Sequence, residues 1–413
     1  MIAKRALRTL LLLATLGAGA CAPRPPEPPL PTPAEVRALW VVRRTFVHPD
    51  SVRAMVRRAH AAGFNTLIVQ VRGRGDAFYK GRWEPQAESL EKRFDPLALV
   101  VREAHRRSIS VHAWLNTHLV ANADTLPTNP SHVIYTRPEI LAVPRPLARE
   151  LNNMDPKDPG FVEALAEYAR ENRDHVEGLY TSPAAPQVKE HIYSIWMDIL
   201  ENYDVDGMHF DYVRYPAPEY DYSRPALLQF RRWLLPQLAD SLAEHFALLE
   251  TDDPLVYPDS FPEAWDRFRR EQITRLVERI YHGVKQRRPN VTVSAAVFGN
   301  AEDAYLRRYQ DWPHWLRLGI LDVACPMAYT PDTEIFRDQI TVAVDAGGGA
   351  RVWAGIGAFR NTVEGTLEKI SVARELGTRG IVLFSYDFAA RARVEDTQAS
   401  YLDQVGQRAF RRP

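Results

Sequence analysis

From Val36 onward, short unbroken apolar runs alternate with stretches in which apolar residues recur with helical spacing. The runs read as buried strands and the periodic stretches as amphipathic helices. The runs fall at 37–42 (RALWVV), 65–71, 109–116, 206–213, 291–298, 320–329, 352–359 and 380–387. Helices are predicted between them at 52–63, 95–107, 161–171, 187–202, 304–318, 334–345 and 363–376, and a further helical stretch fills 224–287. Eight strands with helices between them predict an α/β fold, a (β/α)8 TIM barrel over 35–395, with long βα-loop insertions after strands three and four. The alternative, a doubly wound open sheet, would carry a glycine-rich phosphate loop after its first strand. Val41-Val42-Arg43-Arg44-Thr45 is no such loop. Residues 396–413 read as a C-terminal tail.

The first residues follow another logic. Lys4, Arg5 and Arg8 precede a short apolar core, Leu10 to Leu16, and then small residues Gly17 to Ala20. Residues 1–21 are therefore expected to be a secretory signal, too short to span a bilayer. Cys21, directly after Ala18-Gly19-Ala20, resembles a bacterial lipobox, with Ala18 where most such motifs carry leucine. The plainer alternative is a signal-peptidase site at Ala18-x-Ala20. Residues 22–34 hold seven prolines and read as a stiff linker. At about 3.1 Å per residue it would reach about 40 Å. Lipidation of Cys21 would anchor the chain in the cell envelope. With Ala22 following the cysteine, the outer membrane facing the periplasm is expected in a diderm host.

Charge narrows the partners. Of 413 residues, 52 are Lys or Arg and 52 are Asp or Glu, so the formal net charge is zero. No basic field or tail favours nucleic acid. Two cysteines, Cys21 and Cys325, provide neither a disulfide framework nor a multi-cysteine metal site.

In such a barrel, chemistry sits where strands end. Strand two ends in Gln70 and Arg72, followed by Gly73-Arg74-Gly75-Asp76, and strand three in Trp114 and Asn116, then His118. Strand four ends in His209, Asp211 and Tyr212, then Arg214. Asn300, Glu302 and Asp303 follow strand five, Met327 and Tyr329 end strand six, and Tyr386 and Asp387 end strand eight. Polar groups among aromatic rings suit a sugar site, with carboxylates as acid, base or nucleophile. His209 reads either as a bonded interior residue or as a participant, and Trp114 as packing or as a stacking surface. Glu302 and Asp303 read either as helix N-terminal carboxylates or as proton donors. Asp211 ends an apolar strand, where an ionised group is costly without partners. It is the first catalytic candidate.

The segments LWVV, GFNTLIVQVRGRGDAFY (63–79), DPL (95–97), VHAWLN (111–116), YDVDGMHFDYVRYP (203–216) and LDVACPMAY (321–329) come in a fixed order. Together they resemble glycosyl-hydrolase-like family ten, bacterial envelope proteins with a glycosidase-type barrel. The resemblance implies hydrolysis of a bacterial polysaccharide, peptidoglycan glycan strands foremost, and places Asp211 in the active site. A second similarity is to the chitinase barrels, whose strand-four motif is DG-x-D-x-D-x-E. Asp206 and Asp211 match its first and last aspartates, but His209 and Val213 replace its middle aspartate and its glutamate. That mechanism does not transfer intact, although Met327-x-Tyr329 matches positions that embrace an N-acetylated sugar there.

The expectation is an envelope-anchored glycosidase needing no cofactor. Asp211 would be nucleophile or charge stabiliser, and Asp387, then Glu302 or Asp303, the proton donor. Arg72, Asp76, Trp114, Asn116, His209, Tyr212, Arg214 and Tyr329 would bind substrate. Two alternatives remain: a metal-dependent hydrolase using His118, His209 and Asp211, and a non-catalytic glycan-binding scaffold.

Overall fold

The computed structural model describes residues 35–91, 94–394 and 399–411. Its strands are β1 (Val36–Val41), β2 (Thr66–Arg72), β3 (Ser110–Asn116), β4 (Leu119–Ala121), β5 (Leu179–Tyr180), β6 (Gly207–Asp211), β7 (Thr292–Phe298), β8 (Val323–Met327), β9 (Trp353–Gly357) and β10 (Gly380–Phe384). Eight close a barrel in the order β1-β10-β9-β8-β7-β6-β3-β2, and β4 and β5 form a separate antiparallel pair. Within the barrel, neighbouring strands are parallel, as β3 and β6 are, with Trp114 beside His209 and Asn116 beside Asp211.

Alternation along each strand divides the core in two. Trp40, Ile68, Trp114, Cys325, Trp353 and Val382 pack together inside the barrel. Leu39, Leu67, Val111 and Phe210 point outward into a larger apolar layer against the helices. The helices begin where local chemistry permits: Pro96–His105 has Asp95 accepting from the Ala98 amide at 3.1 Å and proline in its first turn, where a missing N–H costs nothing.

All eight predicted barrel strands are present, several of them shorter than their apolar runs. The predicted helix 304–318 is two, Ala301–Arg307 and Trp312–Leu318. Tyr309 has a positive φ of 53° between them, and Asp311 caps the second. The stretch 224–287 is likewise divided, into Arg224–Leu234, Asp240–Leu249, Val256–Ser260 and Pro262–Arg287, with a turn at Leu235–Gln237. The pair β4–β5 lies in the long connection from β3 to helix Pro186–Asn202. Residues 399–411 are packed: Phe410 meets Phe64 edge-on, with ring centroids 5.0 Å apart. Among the described residues no helix is long and apolar enough to cross a membrane. Cys21 and the 22–34 linker lie outside the described residues.

Candidate active site

The carboxyl ends of the barrel strands surround a cleft of about 540 Å³. Asp211, the last residue of β6, lies in its wall, 8% exposed. The chain turns sharply there, with Tyr212 at φ 49°, and the Tyr212 amide donates to Asp211 Oδ1 at 2.7 Å. Burial pushes the Asp211 carboxyl up to about 6, against the opposing pull of Arg214, the Tyr212 amide and the Trp114 indole. Trp40, Tyr329 and Phe384 form an aromatic wall, Tyr329 stacked on Phe384 at 5.4 Å and Trp40 edge-on to Tyr329 at 6.2 Å. Burial, then the Asp211 charge, drives the Tyr329 phenol well above its ordinary range, which keeps it a donor.

A second carboxylate enters the cleft from a place strand ends do not reveal. Glu177, just before β5, accepts from Arg214 Nη2 at 2.6 Å and from the Tyr180 hydroxyl at 2.6 Å. Burial opposes its ionisation, but the Arg214 guanidinium and these bonds hold it below the ordinary carboxylate range. Arg214 also lies over the Tyr212 and Phe298 rings, at 4.8 and 5.0 Å. The cleft thus holds one carboxyl that keeps its proton up to about pH 6 and one that stays ionised, the arrangement acid–base chemistry uses. The sequence marks Glu177 only by its place in the long loop after β3.

Other predicted residues take different places. Trp114 and Asn116 line the cleft, with Asn116 Oδ1 accepting from the Trp114 indole at 3.0 Å and from Gln70 Nε2 at 3.2 Å. Arg72 does not line it. It is 2% exposed and clasps Glu84 through Nη2 at 2.6 Å and Nε at 2.9 Å. Its Nη1 bonds the carbonyls of Asn116 and Thr117. Glu84 is pushed down to about 2, because the Arg72 charge and His191 outweigh burial. Asp76 faces an adjoining groove, its Oδ1 on the Arg74 amide at 2.7 Å.

Asp387 also lies off the cleft lining, accepting from the Val42 amide at 3.0 Å and from the Thr45 hydroxyl. It fastens the turn after β1. Glu302 and Asp303 sit in the first turn of helix Ala301–Arg307, also off the lining, under an Asn300 cap. Asp206 secures the amino end of the barrel, bonding His105 at 2.9 Å and the Val111 amide at 2.8 Å.

His209 lies inside the barrel, beneath the cleft. Its Nε2 is 3.1 Å from the Trp40 indole N–H, and its Nδ1 2.8 Å from Ser294 Oγ. Indole only donates, so Nε2 accepts and Nδ1 carries the proton. Burial holds this ring neutral. His118 is buried against Thr181. His118, His209 and Asp211 do not assemble as a ligand set; among the described residues no group of three or more His, Cys, Asp or Glu is placed to hold a metal.

Comparison with known proteins bears on the family and the fold. The Glycosyl hydrolase-like 10 family model matches residues 35–348. Glycosyl hydrolase YngK of Bacillus subtilis is 24% identical over 292 residues, 65% of this chain and 46% of that protein. Glycosyl hydrolase DigH of Escherichia coli K12 is 24% identical over 290 residues, 65% of this chain and 55% of that protein. The matched region thus spans about half the length of these relatives. In fold, the chain resembles the PgaB (BpsB) glycoside hydrolase domain of Bordetella bronchiseptica, with TM-score 0.58, 16% identity and coverage of 86% of this chain and 95% of that one. It also resembles the beta-galactosidase Gan42B of G. stearothermophilus, with TM-score 0.58, 14% identity and coverage of 90% and 56%.

Proposed function

Since the chain belongs to the glycosyl hydrolase-like 10 family, we propose that it hydrolyses glycosidic bonds in a bacterial N-acetylated glycan, with peptidoglycan glycan strands as the substrate. The observation that carries this reading is the pairing of Asp211 and Glu177 in one aromatic-walled cleft. Asp211, with its carboxyl raised to about 6, is suited to protonate the departing sugar oxygen. Glu177 is ionised and held by Arg214, suited to stabilise the positive charge that develops on the sugar ring. On this reading Asp211 is the proton donor, in place of the nucleophile or charge stabiliser expected from the sequence. The wall of Trp40, Tyr329 and Phe384 would stack on the apolar faces of the sugars. We further propose that Cys21 is lipidated and anchors the chain in the envelope.

Release of reducing ends from purified glycan strands tests the activity. Asp211→Asn should fall below about one per cent of the wild-type rate while still binding the strands. Wild-type turnover should decline as pH rises through about 6, because the donor then loses its proton. Binding without any release of reducing ends would make the protein a glycan-binding scaffold. An Asp211→Asn protein cleaving at the wild-type rate would remove Asp211 from the reaction.

A further inference from the structure

Three arginines stand where the cleft opens into a second groove of about 410 Å³: Arg43, Arg44 and Arg74 line both. Arg43 and Arg44 lie on the turn after β1 and Arg74 on the loop after β2. Elsewhere, buried guanidinium groups are matched with carboxylates: Arg72 with Glu84, Arg214 with Glu177, Arg269 with Asp266. Among the described residues none of these three forms an ion pair, and the buried Nε of Arg74 has no hydrogen-bond partner. A partly buried cation without an ion-pair partner is costly unless something else meets it.

The arrangement is built. Arg43 is aimed by its Nη1 bond to Gln70 Oε1 at 3.1 Å and lies against Gly73, where a Cβ would come within 2.5 Å of its Cδ. Asp387 pins the same turn through the Val42 amide and Thr45. The Arg74 carbonyl is held by His132 Nε2 at 2.7 Å. Burial lowers the Arg43 guanidinium; the Asp76 charge opposes it most strongly, and the charges of Arg74 and Arg44 lower it further. Of the two carboxylates facing the groove, neither closes an ion pair with these arginines: Asp76 accepts from the Arg74 amide while its charge reaches Arg43, and Glu88 is bonded by the Thr128 hydroxyl at 2.8 Å.

We propose that Arg43, Arg44 and Arg74 form a subsite that binds a carboxylate carried by the glycan, so that the enzyme reads an acidic polymer rather than a neutral one. This rests on the glycosidase reading. It adds that specificity comes from charge where the cleft meets the second groove. A planar guanidinium binds a carboxylate through paired hydrogen bonds, and three lining one opening favour it over a neutral group.

Two probes decide the matter: peptidoglycan glycan strands, and the same strands with their carboxylates chemically reduced to alcohols. Arg44→Ala and Arg74→Ala should each raise KM for the native strands by about tenfold or more, with kcat within about twofold. Wild-type KM should rise comparably on the reduced strands, and the variants should add little further loss there. Strands with and without attached peptides tell a carboxylate of the sugar from one of the peptide. Calorimetric binding of both probes to Asp211→Asn, with and without Arg44→Ala, reads the subsite even if no strand is cut. Failure of hydrolysis would then overturn the glycosidase reading, while the binding difference stands or falls separately. Arg44 is exposed, so its loss leaves folding intact, and circular dichroism checks Arg74→Ala. Equal losses on both probes, or none on either, would overturn the subsite.

Discussion

Asp211 is held where its charge is unwelcome, and that has a thermodynamic signature. In the unfolded chain its carboxyl ionises near 3.8, in the folded protein near 6. Between those values the native state keeps a proton that the unfolded chain has released, so stability falls as pH rises through the window and the loss is complete above it. The full cost is about 3 kcal/mol. Asp211→Asn should therefore melt higher than wild type at pH 7 and alike below pH 4, as calorimetry across pH would show; no stabilisation at pH 7 would refute the buried-acid account. Arg72 behaves oppositely. Arg72→Ala strands Glu84 in the interior and should cost about 3–5 kcal/mol, read as a lowered Tm. Adding Glu84→Gln should recover part of that loss. The sequence located Asp211, Trp114, Asn116, Tyr212, Arg214 and Tyr329 because they sit at or just beyond strand ends. It could not tell that Arg72 turns inward to Glu84, or that Asp387 is committed to the turn after β1, because partners twelve or hundreds of residues away carry no local signal.

At the scale of elements, the eight barrel strands were legible because buried parallel strands are unbroken apolar runs. The pair β4–β5 was not, since three- and two-residue strands show no periodicity. Yet this pair carries the second carboxylate. Gly178, between Glu177 and β5, has φ 149°, and a Cβ there would come within 2.0 Å of the Ala121 carbonyl oxygen. Gly178→Ala must push β5 away from β4 and carry Glu177 with it. A displacement of about 1 Å at a reacting group can cost about a hundredfold in rate. We expect Gly178→Ala to lose about that much activity while circular dichroism still shows a folded barrel. Full activity would mean that Glu177 acts from a position the pair does not set.

At the scale of the whole molecule, the barrel has two ends with different work. The described chain enters at Glu35, where Arg374 grips the carboxylate at 2.6 and 3.0 Å, and β1 then runs toward the cleft. The entry point and the cleft are therefore on opposite faces, about 20 Å apart for a six-residue strand. An anchor at Cys21 would hold the entry face toward the membrane and turn the cleft away from it. With such an anchor, the proline-rich segment 22–34, about 40 Å long if extended as its composition suggests, would set how far the entry face stands from the membrane. Two consequences follow from that geometry. Labelled palmitate should enter the wild-type protein and not Cys21→Ser, and the variant should leave the membrane fraction with its activity in solution unchanged. Deleting 22–34 while keeping the anchor should leave the rate on soluble strands intact but reduce release of glycan fragments from the wall in cells. Equal palmitate labelling of both proteins would overturn the anchor, and undiminished release by the linker deletion would show that reach does not limit access to the substrate.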